Sequence, residues 1–181
     1  MCETALVVVV PEAEAFLAAH RREPLPGVAP GVPAHVSVLY PFRSVVDDAA
    51  AAVIGAHASS IPAFDVTFAR AACFPGGVLY LVPEPARPFR DLTVALAAEF
   101  PDCPPYGGEH DEVVPHLTVA TDIGTAAARI IEDDLASAPP IVTRVSRLTL
   151  LRHDAEHAWH AVREWPLAPA LCRGSGATFA R

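Results

Sequence analysis

Two tetrapeptides in this chain carry the residue types of proton-transfer chemistry, His35-Val36-Ser37-Val38 and His116-Leu117-Thr118-Val119. Each sets an imidazole and a hydroxyl two residues apart, with apolar residues in between and after. Successive side chains of a β-strand point to opposite faces, so His35 shares a face with Ser37, and His116 with Thr118. The alternate residues Val36, Val38, Leu117 and Val119 supply a core face. The polar faces must meet water or a ligand, because burying these groups unpaired costs on the order of several kcal/mol.

Brought together, the two strands would surround one cleft with two imidazoles and two hydroxyls. Histidine is the side chain whose neutral and charged forms coexist near neutral pH. One ring can take a proton from an attacking water or hydroxyl while the other gives one to a leaving oxygen. Ser37 and Thr118 would donate hydrogen bonds to non-bridging phosphate oxygens as charge builds on them. That set suits phosphodiester cleavage and requires no metal or cofactor.

The elements that must hold these residues come in a repeated order. Ala5–Val10 reads as a strand and 12–22 as a helix after Pro11, followed by a Pro/Gly-rich loop over 24–33. A short strand over 34–40 carries the first motif, and Asp47 or Asp48 caps a helix to about Ala58. Phe64–Phe74 and Val78–Val82 read as a hairpin around Pro75-Gly76-Gly77. The second half repeats this order: helix 89–100, loop 101–115, strand 115–121 with the second motif, and helix 125–136. A hairpin of 141–152 and 158–165 closes it. The duplication implies an α+β fold of two pseudo-symmetric lobes, antiparallel sheets with flanking helices and the active site in the cleft between them. Residues 1–166 form that bilobal domain, and 167–181 is expected to be a flexible tail.

Composition narrows the partners. The formal net charge is −8, and every fixed positive charge is an arginine. An acidic protein gains little from counterion release on a long polyanion, so no extended nucleic-acid surface is expected. No apolar run approaches the roughly 18 residues of a membrane span. With no signal-like N-terminus, a cytoplasmic monomer with no membrane partner is expected. Cys2, Cys73, Cys103 and Cys172 lie far apart with no Cys-x-x-Cys pair, which excludes a zinc ribbon and leaves free thiols.

With both motifs intact, the sequence resembles the 2H phosphoesterase superfamily, which includes 2′-5′ RNA ligase-like proteins and cyclic nucleotide phosphodiesterases. The likeness runs from about Ala5 to Trp165 and includes the flank Tyr40-Pro41-Phe42. It implies a bilobal fold with the active site between the lobes, catalytic roles for His35 and His116, and phosphate binding by Ser37 and Thr118. Ser37 stands where threonine is commoner. Ala120-Thr121 stands where ligase-like members often carry an arginine, which argues against ligation of RNA specifically. Cyclic-phosphate ends of RNA, ADP-ribose cyclic phosphate, 2′,3′-cyclic nucleotides and 2′-5′ oligonucleotides all fit the same centre. The charge favours a small nucleotide or RNA end.

Other groups compete less well. Tyr40 and Phe42 suit stacking on a base, and Phe42 equally suits plugging the lobe interface. Arg43 reads as a solvated arginine rather than a phosphate ligand, and His110-Asp111-Glu112 as a solvated loop rather than cleft lining. His153, His157 and His160 surround a turn at Asp154–Glu156 that spreads them to different faces, so no metal site is expected there. Two further readings are a nucleotide-binding module that lacks turnover and a metal-dependent hydrolase built on these last histidines. Intact histidines in both motifs disfavour the first, and chelator treatment separates the second.

Overall fold

The structure is a computed structural model that describes residues 3–20, 31–110, 112–154 and 158–170. β1 (Glu3–Val9) is followed by a single 3-10 turn at Pro11–Ala13, α1 (Glu14–His20) and β2 (His35–Leu39). α2 (Asp48–Ser60), β3 (Phe64–Phe74), β4 (Val78–Glu84) and α3 (Arg87–Glu99) come next. β5 (Leu117–Ala120), α4 (Thr125–Ser137), β6 (Ile141–Val145), β7 (Arg147–His153) and β8 (His160–Pro166) complete the order. Among the described residues, no helix is long and apolar enough to cross a membrane.

Two four-stranded antiparallel sheets result, ordered β2-β1-β7-β8 and β5-β4-β3-β6. Each carries its motif strand at one edge, next to the strand that precedes the intervening helix, which is the expected pseudo-symmetry. β1 is a run of branched and small apolar residues paired on both sides, and Ala5 to Val8 are all buried. β2 and β5 lie against each other where the lobes meet.

The helices cover the sheets through local signals the sequence carries. Asp47 caps α2 by accepting a hydrogen bond from the Ala50 amide at 2.8 Å. Pro62 follows at the other end, and Pro139-Pro140 follow α4. Trp165 of β8 pins α2 by donating from its indole nitrogen to the Ala51 carbonyl at 3.0 Å. The β3–β4 turn places Gly76 and Gly77 at φ of +98° and +84°, a left-handed backbone that favours glycine.

Two expectations need correction. The run 141–152 is not one strand: it breaks at Ser146, so β6 lies beside β3 in one sheet and β7 beside β1 in the other. The inward positions slip by one residue at the break, from Thr143 and Val145 to Leu148 and Leu150. The Ser146 carbonyl accepts instead from the Leu167 amide at 2.9 Å. Leu167 and Ala168, assigned to the tail, are held in place. Leu167 is buried, and Ala168 exchanges backbone hydrogen bonds with Ile61 and Ala63 at 2.9 and 2.8 Å. The remainder of that tail, from 171, lies outside the described residues.

Candidate active site

The alternation read from the two motifs holds in three dimensions. Val36, Val38, Leu117 and Val119 are buried in one shared core. His35 and Ser37 of β2 and Thr118 of β5 are half-buried on the opposite faces, as is His116 immediately before β5. Register extends both faces. Ser37 lies opposite Val7 and His35 opposite Val9, while Thr118 lies opposite Tyr80.

Both imidazoles are anchored in the same way. The Nδ1 of His35 lies 2.7 Å from the Pro33 carbonyl oxygen, and that of His116 lies 2.7 Å from the Val114 oxygen. A carbonyl can only accept, so Nδ1 carries a proton in each ring and Nε2 is left as the atom that exchanges one. A proline on each approach, Pro33 and Pro115, stiffens the chain that presents these carbonyls.

Surroundings differ between the two. His116 sits within an aromatic cage: Tyr106 stacks on it at 5.6 Å and 30°, while Phe74 at 5.0 Å and Tyr80 at 5.4 Å meet it edge-on. The Tyr106 hydroxyl also donates to the Val114 carbonyl at 3.0 Å, the acceptor that orients His116. Burial in this cage pushes the His116 pKa below its ordinary value of 6.5; the Val114 hydrogen bond opposes the shift and nearby His110 adds to it. Burial pushes the Tyr106 phenol up to about 12, so it remains a donor. Tyr106 adopts φ 54°, a costly left-handed backbone for a non-glycine residue, ahead of Gly107 and Gly108.

Other expected residues fall on both sides of the expectation. Tyr40 is exposed at the end of β2, edge-on to Trp159 at 6.1 Å, with its hydroxyl 3.4 Å from Glu3. Phe42 is only 8% exposed and meets Phe100 edge-on at 5.2 Å, so it packs into the core and has no face for a base. The Arg43 side chain is exposed, as expected, and there it grips Asp102 through two nitrogens, at 2.9 and 2.6 Å, above the Phe100 ring. His110 and Glu112 are exposed, as expected, and also border a cavity with His116, while Asp111 lies outside the described residues. His153 leans on Trp159 at 5.6 Å and His160 borders a second cavity. His157, like Cys2 and Cys172, lies outside the described residues. Cys73 is exposed and Cys103 buried, both as free thiols.

Sequence reasoning missed Phe74, Tyr80, Tyr106 and Trp159. Phe74 and Tyr80 flank a Pro-Gly-Gly turn, and Tyr106 precedes two glycines in the loop before the second motif. An aromatic residue beside a tight turn near one of the two histidine motifs was the available signal. Trp159 packs on the face of β1 that carries Val7 and Val9, the neighbours of Ser37 and His35.

The family model of the 2′-5′ RNA ligase superfamily matches residues 9–157, a span that includes both motif strands. The chain belongs to that superfamily. The 2H phosphoesterase resemblance read from the motifs therefore stands. Among solved structures, this superfamily member is similar to Escherichia coli LigT in its apo form, with a TM-score of 0.59 at 18% identity. The match covers 92% of this chain and 97% of LigT. LigT complexed with 3′-AMP gives a TM-score of 0.59 at 16% identity, covering 91% and 97%. A solved phosphoesterase gives 0.55 at 17% identity, covering 92% and 98%. These likenesses establish the two-sheet α+β fold. No curated protein matches the sequence.

Proposed function

We propose that this superfamily member is a metal-independent phosphodiesterase that hydrolyses a small cyclic phosphate or a 2′-5′ phosphodiester with His35 and His116. The matched Nδ1–carbonyl bonds, 2.7 Å in both motifs, carry this reading. They commit one nitrogen of each ring to the backbone and direct the other to proton exchange with a substrate. Ser37 and Thr118 share faces with the two rings and would donate to the non-bridging oxygens.

The unlike surroundings divide the labour. His116, kept neutral by its cage, accepts a proton at Nε2 from the attacking water. The water oxygen bonds to phosphorus as the bond to the ester oxygen breaks. That oxygen takes the Nε2 proton of a protonated His35, so one water is added and one P–O bond is lost. His116 then carries the extra proton, and exchange with solvent restores both rings.

The test is a panel of 2′,3′-cyclic nucleotides, ADP-ribose cyclic phosphate and 2′-5′ dinucleotides, with product regiochemistry read out. Turnover of at least one class should survive excess EDTA. Activity abolished by the chelator and restored by zinc or manganese would overturn the two-histidine mechanism.

A further inference from the structure

Against His116 lies a cavity of about 560 Å³, lined by Phe74, Val78, Tyr106, His110 and Glu112 as well as His116 itself. Pockets of roughly 300–1,000 Å³ with apolar walls and few polar groups are the usual size and character of small-ligand sites. We infer that this cavity is a base-recognition subsite that prefers guanine, with aromatic walls to hold the ring and Glu112 and His110 to read its hydrogen-bonding edge. The inference rests on the phosphodiesterase reading, in which His116 meets the substrate phosphate.

The walls favour a flat ring. Phe74 is stacked on Tyr80 at 4.2 Å and 24°, and Tyr106 on His116 at 5.6 Å and 30°. Phe74, Tyr106 and His116 all line the same cavity, and every base has a π-face that can stack on an aromatic ring.

The lining chemistry selects among bases. Glu112 is the one carboxylate among the described lining residues, and it is exposed. An ionised carboxylate only accepts, through two oxygens. Its charge disfavours a second phosphate here and favours a ring edge with two adjacent N–H donors. Guanine presents that edge in N1–H and the 2-amino group, and its O6 can accept from a ring N–H of His110. Adenine and cytosine set a bare ring nitrogen next to their amino group. Uracil sets its single N–H between two carbonyls. All three would point lone pairs at the carboxylate.

Titration calorimetry of the full chain with 3′-GMP, 3′-IMP, 3′-AMP and 3′-UMP tests the subsite without requiring turnover. The expected result is 3′-GMP binding roughly 10-fold or more tighter than 3′-AMP and 3′-UMP, since a two-bond edge match is worth about one to two decades. 3′-IMP, which lacks the 2-amino group, should fall between. Glu112→Gln should erase the guanine advantage and raise affinity for 3′-AMP, because a carboxamide can donate to N1 while accepting from the 6-amino group. Phe74→Leu should weaken the 3′-nucleotides generally, since it removes a stacking ring and keeps an apolar side chain. Equal wild-type affinity across the four, or a guanine preference unchanged in Glu112→Gln, would overturn the subsite. Guanine-selective binding with no hydrolysis of any cyclic phosphate would leave the subsite standing and bring down the hydrolytic reading. Hydrolysis with no base preference in binding would do the reverse.

Discussion

His35 and His116 have the same backbone anchor and unlike neighbours, and the consequences for activity separate accordingly. The shared anchor predicts that both are needed: His35→Ala and His116→Ala should each lower turnover by roughly 10²–10⁴-fold. The double variant should lose far less than the product of the two, because the rings act on one proton path. Ser37→Ala and Thr118→Ala should cost roughly 10–10³-fold in kcat, each removing one donor to a charged oxygen. Near-normal activity in His35→Ala would show that the site had been placed on the wrong residues. The unlike neighbours predict a pH effect. A base must be neutral to act, so kcat/KM should rise with pH through the His116 pKa, and burial places that limb below 6.5. Tyr106→Gly removes a cage wall at a backbone angle, φ 54°, that glycine accepts readily. It should move the acid limb up toward 6.5, and an unmoved limb would remove the cage from the account. The motif residues could be read from sequence because strand alternation is a local rule. The assembled cage was harder to read, because Phe74, Tyr80 and Tyr106 come from one strand end, the next strand and a distant loop, and only their places beside turns marked them.

The end of β2 shows how one flank divides between packing and contact. Tyr40 stands exposed beside Trp159, while Phe42, two residues on, is buried against Phe100 and the end of α3. Phe42→Ala should therefore destabilise the fold by about 3–5 kcal/mol in urea titration, as large core truncations do. Tyr40→Ala should leave the midpoint nearly unchanged and raise KM for a nucleotide substrate. A stable Phe42→Ala variant with a raised KM would return Phe42 to the substrate. Sequence alone left Phe42 balanced between these roles, since burial depends on α3 arriving from 45 residues downstream. The cap at Asp47 was readable because its partner, the Ala50 amide, is three residues away. The break at Ser146 also left a trace, the one-residue slip between Val145 and Leu148. A run of β-formers without glycine or proline hides such a slip until each half has found its own sheet.

The repeat in the order of elements correctly indicated two sheets, yet the sheets do not divide the chain into halves. β7 and β8, from the C-terminal part, complete the sheet of β1 and β2, while β3 joins β4, β5 and β6. Such exchange is invisible to a repeat search, because it depends on which edges pair rather than on element order. Its energetic consequence is coupling. A single buried cluster contains Leu6, Val8, Leu148 and Leu150 of one sheet with Val66, Phe68, Leu79 and Leu81 of the other. The chain crosses between the sheets twice, from β2 to β3 by way of α2 and from β6 to β7 at Ser146. Neither sheet can open without exposing the core of its neighbour, so unfolding should be one cooperative transition. The two tryptophans allow a direct check. Trp159 and Trp165 both belong to the β2-β1-β7-β8 side, so fluorescence follows that sheet, whereas far-UV circular dichroism follows both. Urea curves from the two probes should share midpoint and slope, and a separated midpoint would show lobes that unfold independently. A saturating 3′-nucleotide, at about 100 times its Kd, should raise stability by roughly 2.7 kcal/mol if it binds only the folded chain. Because His35 stands on the edge strand of one sheet and His116 immediately before the edge strand of the other, both probes should move by the same amount. A shift confined to fluorescence would place the ligand on one sheet and contradict a cleft shared by the two motifs.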